Sequence, residues 1–314
     1  MPTALFPFPS LSISYEFGTG WPAREMTLAN FRELIAGNEL IVAPLALNPI
    51  MARLAEAAGF KAVYLSGGSL GWYKGVTEAN ITITELTQVA VDMRAASKLP
   101  VVLDAGGGFG DPVHMHRTIA LTEAAGFAAI EIEDQLLPRR FEHHAGIDHL
   151  VPMEFMLKRL GEALAARNDP NLVIIARTNA QRVGGLDNAL RRGEAFHKAG
   201  ADMLFIYSRT PEEMRIIGER LPAPLMTFAP PDGFAEFPIS PAELAKLGFR
   251  LAASSGTAFA AMHKAVKQSY ECLAQGKLDP FLGRGGAEKE MKAAQATCDF
   301  TRYLEIERRT MKGA

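Results

Sequence analysis

The chain has 314 residues, 48% apolar and 22% charged, with a formal net charge of −2, the profile of a globular protein with a large core. That balance gives no electrostatic reason for a nucleic-acid or acidic-membrane partner, and no apolar stretch reaches membrane-spanning length. The two cysteines, Cys272 and Cys298, offer neither a disulfide framework nor metal-ligand spacing, so a reducing cytoplasm is the expected setting.

The first residues, MPTALFPFPSLSISYEFG, lack the basic start and unbroken apolar run of a signal peptide. Their prolines predict an extended arm over residues 1–27. From about residue 40, short apolar runs alternate with longer amphipathic stretches. The runs are LIVAPL (40–45), AVYLS (62–66), VVLDA (101–105), AIEIED (129–134), LVIIART (172–178), ADMLFIY (201–207), PLMTF (224–228) and RLAASS (250–255). Each is short and rich in apolar or β-branched residues, as a strand buried on both faces requires. The stretches between them read as helices, several stopping at a glycine C-cap: Gly59, Gly126, Gly200 and Gly248. Two open on a capping residue followed by proline, Thr210-Pro211 and Ser240-Pro241. Eight strands with intervening helices predict one (β/α)8 TIM-type barrel over residues 28–275. A doubly wound open sheet would more often stop at five or six strands. Residues 276–314 form a polar helical extension without a strand partner, expected to pack on a neighbouring subunit.

In such a barrel the functional groups lie at the C-terminal strand ends and in the loops that follow. Strand two ends in Ser66-Gly67-Gly68, where small residues leave backbone N–H groups accessible to an anionic oxygen. Strand three ends in Asp104, strand four in Glu131, Glu133 and Asp134, and strand five in Arg177, Thr178 and Asn179. Carboxylates of this kind suit a hard cation such as Mg2+, and the arginine suits bidentate capture of a substrate carboxylate. The plainer alternatives are helix caps for the acidic residues and an ion pair between Arg177 and Glu133. The glycines after Asp104, GGGFG, do not fit G-x-G-x-x-G, because the third glycine falls on Asp111, and no G-K-[ST] follows. The loop RRFEHHAGIDH (139–149) reads either as a metal site built from His143, His144, His149, Glu142 and Asp148 or as a polar lid carrying His143 as acid or base. Tyr207, at the end of strand six, is either a proton donor or a core tyrosine with its hydroxyl at the rim. His114, His116, His197 and His263 fall on predicted helices and read as packing or surface residues. Trp72 and Tyr73 would line a pocket or a subunit contact.

Together, YLSGG (64–68), the D-x-x-x-G-F-G of residues 104–110, IEDQLLP (132–138), IIARTNA (174–180) and ADMLF (201–205) resemble the isocitrate lyase/phosphoenolpyruvate mutase superfamily. The resemblance covers roughly residues 28–275. It implies a barrel whose last helix is exchanged with a partner in a homotetramer, a dimer of dimers. It implies bound Mg2+ or Mn2+, a small 2-oxo or 2-hydroxy carboxylate as substrate, and C–C or C–P chemistry through an enolate. Carried over residue by residue, Ser66 and Gly67, with Gly68 beside them, hold the 2-oxo acid. Asp104 is the first aspartate of the family's D-x-D metal motif, Glu133 holds the metal's waters, and Arg177 binds the substrate carboxylate. The departures are specific. Gly106 stands at the second aspartate of D-x-D and should weaken the metal site. Asn80 stands for an aspartate over the reacting carbon. Phe141 occupies the place of the lyase branch's acid/base cysteine and cannot transfer a proton. Thr257 stands where the oxaloacetate decarboxylase branch carries a histidine. The catalytic candidates are therefore His143, Tyr207 and Asn80. The expected function is a carbon–carbon lyase, an oxaloacetate-type decarboxylase or a retro-aldol lyase. The alternatives are a catalytically reduced member that binds a carboxylate without turnover, or a phosphonate-processing mutase or hydrolase.

Overall fold

The computed structural model describes residues 31–222 and 224–311, so the expected arm over residues 1–27 lies outside the described residues. Eight parallel strands follow one another in chain order: β1 (Ile41–Pro44), β2 (Val63–Leu65), β3 (Val101–Asp104), β4 (Ala129–Glu133), β5 (Val173–Thr178), β6 (Met203–Ile206), β7 (Leu225–Phe228) and β8 (Phe249–Ser254). β1 pairs with β8 at one edge. The ring closes at the other, where Leu45 pairs with Tyr64 and the Ala46 N–H donates to the Tyr64 carbonyl at 3.0 Å. Each strand overlaps one of the apolar runs read from the sequence, and the sheet is a (β/α)8 barrel.

The two-residue period of the strands divides the core in two. Inward residues, among them Tyr64, Val102, Ala129, Val173, Ile175, Met203, Phe205, Met226 and Leu251, fill the barrel interior. Alternate residues such as Leu65, Leu103, Ile130, Ile132, Ile174 and Leu204 pack outward against the helices. α1 (Phe31–Ala36) covers the N-terminal mouth, burying Phe31 and Ile35 in the inner cluster. Arg32 ties it down on Asp202 at 2.9 Å and on the Leu172 carbonyl at 3.1 Å.

The outer ring comprises α2 (Pro49–Ala57), α3 (Gly67–Tyr73), α4 (Ile83–Ala96), α5 (Met115–Ala125), α6 (Met153–Ala166), α7 (Ala180–Lys198), α8 (Pro211–Arg220), α9 (Pro241–Lys246) and α10 (Thr257–Ala274). Its ends follow local chemistry. Thr210 and Ser240 accept from the backbone N–H of Glu213 and Glu243, and Gly126 ends α5 at φ 71°. α11 (Gly286–Thr297) and α12 (Phe300–Thr310) follow the barrel. Neither they nor α10 contains a buried residue. Arg53 on α2 holds this extension through the Thr297 carbonyl at 2.6 Å and Asp299 at 3.2 Å. Among the described residues no helix is long and apolar enough to cross a membrane.

Gly218 on α8 tests how tightly the ring is packed. A helical Gly→Ala change ordinarily gains about 1 kcal/mol. Here the added Cβ would lie 2.6 Å from the Leu247 carbonyl oxygen, which is backbone and cannot swing away. Overpacking costs about 1–3 kcal/mol, so Gly218→Ala is expected to be net destabilising, read as a lower urea midpoint.

Candidate active site

The inward parity that buries Tyr64 and Ile175 also places Asp104, Glu131, Glu133 and Arg177 inside the C-terminal end of the barrel. The register pairs Asp104 with Glu131 and Glu133 with Arg177 across neighbouring strands. All four are buried. Arg177 is their centre. Its Nη1 lies 2.6 Å from Glu131 Oε1 and its Nε 3.2 Å from Glu133 Oε2. Its guanidinium carbon lies 4.8 Å from the ring centroid of Phe205 and 5.2 Å from that of Phe228, an arrangement that favours a delocalised cation. Asn179 closes the group, accepting from Arg177 Nε at 3.2 Å and donating to Glu133 Oε2 at 3.0 Å. Tyr64 donates to Glu131 Oε2 at 3.0 Å from the barrel interior. Asp134 is directed away from this group, onto Thr178 at 2.6 Å and Arg192 at 2.8 Å.

A second guanidinium enters from the loop after β4. Arg139 pairs with Glu78 and lies 3.2 Å from Glu133 Oε1. Glu78 reaches the site because the α3 helix folds its following turn inward. The turn over residues 78–80 packs so closely on Gly71 that a Cβ there would stand 2.7 Å from the Thr77 carbonyl carbon and 2.8 Å from the Glu78 nitrogen. Glu78 Oε1 would meet a Cβ at Gly67 at 3.2 Å and one at Gly106 at 3.5 Å. Its carboxylate therefore bridges the ends of β2 and β3. Asn80, the residue of this turn singled out in the sequence, is exposed and accepts from Thr77 Oγ1 at 3.1 Å. The sequence reading missed Glu78. The available signal was that an acidic side chain stood two positions before Asn80 in the same polar turn.

The glycines after Asp104 have conformational and steric roles. Gly106 and Gly108 adopt φ of 50° and 82°, where a side chain is disfavoured. The Gly106 N–H donates to Asp104 Oδ1 at 3.1 Å, fixing that carboxylate. Beside this loop lies a cavity of about 600 Å³ lined by Gly67, Glu78, Asp104, Gly106 and Arg139 among others. Ser66 caps α3 by accepting from the Ser69 N–H at 3.3 Å, with Gly67 and Gly68 as the first residues of that helix.

The 139–149 loop is closed at its neck by pairing of Gln135 with Leu150. His143 Nδ1 lies 2.6 Å from Asp148 Oδ1, and its Nε2 lies 2.7 Å from Arg139 Nη2. The side chain of His144 lies outside the described residues. His149 pairs separately with Glu142 at 2.6 Å, and among the described residues no three His, Cys, Asp or Glu side chains are grouped to hold a metal ion. Tyr207 stacks under Arg182 at 4.0 Å, and Arg182 reaches Asp148 at 3.3 Å. Tyr207 and His143 thus belong to one chain of contacts at the rim. Phe141 is exposed.

The charges do not balance. Four inward carboxylates, Glu78, Asp104, Glu131 and Glu133, face two guanidiniums, Arg139 and Arg177. Burial, then the nearby Asp104 charge, pushes Glu78 up to about 8. Burial also pushes Glu131 up to about 8, against the pull of Arg177. Burial acts on Glu133 in the same sense, but Arg177 and Arg139 together hold it below its ordinary value. Glu133 Oε1 is buried without a hydrogen bond. The protons retained by Glu78 and Glu131 offset the formal excess of two carboxyls. No three of these side chains are grouped to hold a metal ion, so a divalent cation of the Mg2+ kind would draw on two carboxylates and keep much of its water.

These features define an α/β barrel with an acidic, arginine-centred site at the C-terminal strand ends. The chain belongs to the phosphoenolpyruvate phosphomutase family, whose model matches residues 31–274, and through it to the phosphoenolpyruvate mutase/isocitrate lyase superfamily. It is 39% identical to a 2-methylisocitrate lyase of Aeropyrum pernix over 197 residues, a stretch covering 62% of this chain and 63% of that protein. It is 32% identical to an oxaloacetate decarboxylase of Chromohalobacter salexigens over 293 residues, covering 91% of this chain and 94% of that one. Its fold matches a phosphoenolpyruvate phosphomutase structure from Streptomyces platensis subsp. rosaceus with a TM-score of 0.80 at 30% identity, over 91% of this chain and all of that one.

Two expectations follow. Gly71→Ala should displace the turn that carries Glu78 while leaving the barrel folded by circular dichroism. A misplacement of about 1 Å costs on the order of a hundredfold in turnover. The second concerns pH. Glu78 and Glu131 keep their protons to about 8 when folded but release them near 4.5 when unfolded. A raised folded value gives stability that is complete below the unfolded value and lost as pH rises through the folded one. Glu133 acts in the opposite sense, but only as pH falls below its ordinary 4.5. The melting temperature of the metal-free protein should therefore fall between about pH 5 and about pH 9, with added Mg2+ reversing the fall. A flat melting profile would show that these two carboxyls do not hold their protons.

Proposed function

We propose that this protein is a carbon–carbon lyase acting on a small 2-oxo or 2-hydroxy carboxylate through an enolate. The observation that carries this reading is the convergence of Glu78, Asp104, Glu133 and Arg139 around Gly106 at one end of a 600 Å³ cavity. Two relatives with lyase and decarboxylase names support the direction of the chemistry.

Asp104 and Glu133 are the residues that would hold Mg2+ or Mn2+, and such a cation supplies charge stabilisation for the enolate oxygen. Arg177 commits Nε to Asn179 and Nη1 to Glu131, so Nη2 is the edge that would meet a substrate carboxylate. Ser66, Gly67 and Gly68 present the N-terminal amides of α3, a site for an anionic oxygen. Glu78 is the group positioned to move a proton. As a carboxylate it takes the 2-hydroxyl proton when a C2–C3 bond breaks in the retro-aldol sense. The bond's electron pair passes to the departing acid, which is protonated at carbon. Decarboxylation of an oxaloacetate-like acid requires the same enolate stabilisation and no such base to begin. Glu78 thus takes the part for which Asn80 stood in the sequence. His143 and Tyr207 act at the rim, His143 by holding Arg139 and Asp148 together over the site.

The wider setting belongs to the same reading. α10, α11, α12 and the connection between α10 and α11 expose Tyr270, Leu273, Phe281, Met291 and Tyr303, which suits packing on a second copy in a helix-exchanged homotetramer. Free Cys272 and Cys298 suit a cytoplasmic setting.

Release of pyruvate, glyoxylate or CO2 from a panel of 2-oxo diacids and substituted malates, with Mg2+ or Mn2+ present, tests the activity. No turnover across the panel would overturn the lyase and leave the second reading, a carboxylate-binding member held inactive by Arg139 on Glu133 and Glu78. Asp104→Ala is expected to lower turnover at least a hundredfold. Activity that survives it would place the cation elsewhere.

A further inference from the structure

Two guanidiniums reach the carboxyls at the barrel mouth, and they are held differently. Arg177 lies on β5 against the rings of Phe205 and Phe228, with Nε donating to Asn179 and Nη1 to Glu131. Arg139 comes from the loop after β4. Its Nη1 pairs with Glu78 and lies 3.2 Å from Glu133 Oε1, and its Nη2 lies 2.7 Å from His143 Nε2. The side chain is closed off from solvent, at 7% exposure. Its fit is nevertheless incomplete on both sides. Arg139 Nε is buried without a hydrogen-bond partner, and Glu133 Oε1 is too. Buried polar atoms are nearly always paired, so two exceptions within one ion pair call for an explanation.

The place that Arg139 fills is shaped by the chain beneath it. Nη1 lies 3.3 Å from where a Cβ would stand on Gly106, and Glu133 Oε1 lies 4.0 Å from the same point. A side chain at Gly106 would press on the guanidinium, so the glycine makes its room. The loop itself is held in shape: Gly106, Gly108 and Phe109 adopt φ of 50°, 82° and 64°. The last is a conformation that a bulky L-residue rarely adopts, and it persists where the surroundings over-determine it. The part that can move is the Arg139 side chain, which has the cavity of about 600 Å³ beside it.

The oxygens of Glu133 are thereby accounted for. Oε2 accepts from Asn179 at 3.0 Å and faces Arg177 Nε at 3.2 Å. Oε1 is the oxygen left for a divalent cation, and Arg139 stands against it. A cation placed there beside Arg139 would set like charges a few ångströms apart in a buried setting that screens them poorly. A guanidinium keeps its proton, so loss of charge cannot relieve the conflict.

We propose that Arg139 occupies the cation's place at Glu133 when no metal is bound, and that Arg139 and Mg2+ exclude one another there. This rests on the reading of Asp104 and Glu133 as the residues that hold the cation. The arrangement sets a threshold for loading the site. A monovalent cation offers Glu133 no more charge than the tethered guanidinium does, whereas a divalent ion offers twice as much. The exchange also serves both unpaired atoms, because Glu133 Oε1 gains the cation or its water and Arg139 Nε is freed toward the cavity.

Calorimetric titration of the metal-free full chain with MgCl2, without substrate, tests the exclusion. Arg139→Gln keeps a hydrogen-bonding side chain and removes the charge, and it is expected to bind Mg2+ at least about tenfold more tightly than the wild type. Arg139→Lys keeps the charge and is expected to stay near the wild type. Unchanged affinity in Arg139→Gln, or equal tightening in Arg139→Lys, would overturn the inference. Asp104→Ala keeps the two readings apart. Loss of Mg2+ binding in Asp104→Ala, with no effect of Arg139→Gln, would keep the cation site and remove the exclusion. Unchanged Mg2+ affinity in Asp104→Ala would remove both. A second measurement uses the wild type alone: phenylglyoxal labelling of arginine, read by peptide mass spectrometry with exposed Arg140 as the reference. Labelling of Arg139 relative to Arg140 is expected to rise at saturating Mg2+. A ratio that Mg2+ leaves unchanged would show that Arg139 does not give way, and the inference would fall.

Discussion

The ion pairs of Arg177 with Glu131 and Glu133 govern the whole mouth of this barrel. Arg177 and its two carboxyl partners are buried together at adjacent strand ends, fixed by a register that sets Glu133 against Arg177. Removing one partner of such a pair strands a buried charge and costs about 3–5 kcal/mol. The arrangement is therefore held in place before any ligand arrives, and the aromatic rings of Phe205 and Phe228 keep the guanidinium from leaving. Everything else at the mouth is placed relative to it. Glu133 can turn its second oxygen toward Arg139 because the first is committed. Arg139 in turn draws in Glu78 from the far side of the cavity.

That chain of pairings surrounds Gly106, the residue that the resemblance sets at the second aspartate of a D-x-D motif. Gly106 opens space next to Asp104, and the nearest groups around its missing Cβ are Arg139 Nη1 at 3.3 Å and Glu78 Oε1 at 3.5 Å. An aspartate here would have to adopt φ 50° and would add a fifth carboxyl to a group in which two are already pushed up to about 8. The acidic side chain that reaches this space is Glu78, which burial and the nearby Asp104 charge push up to about 8. The glycine and the glutamate are two halves of one adjustment. Gly106 leaves the space and Glu78 enters it from a turn that the Gly71 contact positions.

The sequence made the barrel legible because buried parallel strands are continuous apolar runs, and eight of them at helix-sized intervals leave few architectures. It made Asp104, Glu133 and Arg177 legible for the same reason, since a polar residue that ends an apolar run stands at the strand's C-terminal end. Glu78 carried no such mark. It lies in a polar turn far from any strand, and only the packing of residues 77–78 on Gly71 turns it inward. Arg139 was quoted as part of a lid, but its contacts depend on where the loop folds back. His143 and Tyr207 were named singly. Their connection through Asp148 and Arg182 is a property of three-dimensional neighbours with no spacing rule.

The same distinction separates what the strand ends do from what the loops do. The strand-end groups bury charge at the mouth, and in the proposed reaction Arg177 among them grips the carboxylate. Phe109 and Leu137 on loops and Ile83 at the start of α4 shape the remainder of the cavity. A barrel built in this way can keep one chemistry while changing the size of the acid it accepts. The strain at Phe109 is consistent with that division, because a backbone cost at a loop tip is tolerated where the rigid ring beneath supplies the stability.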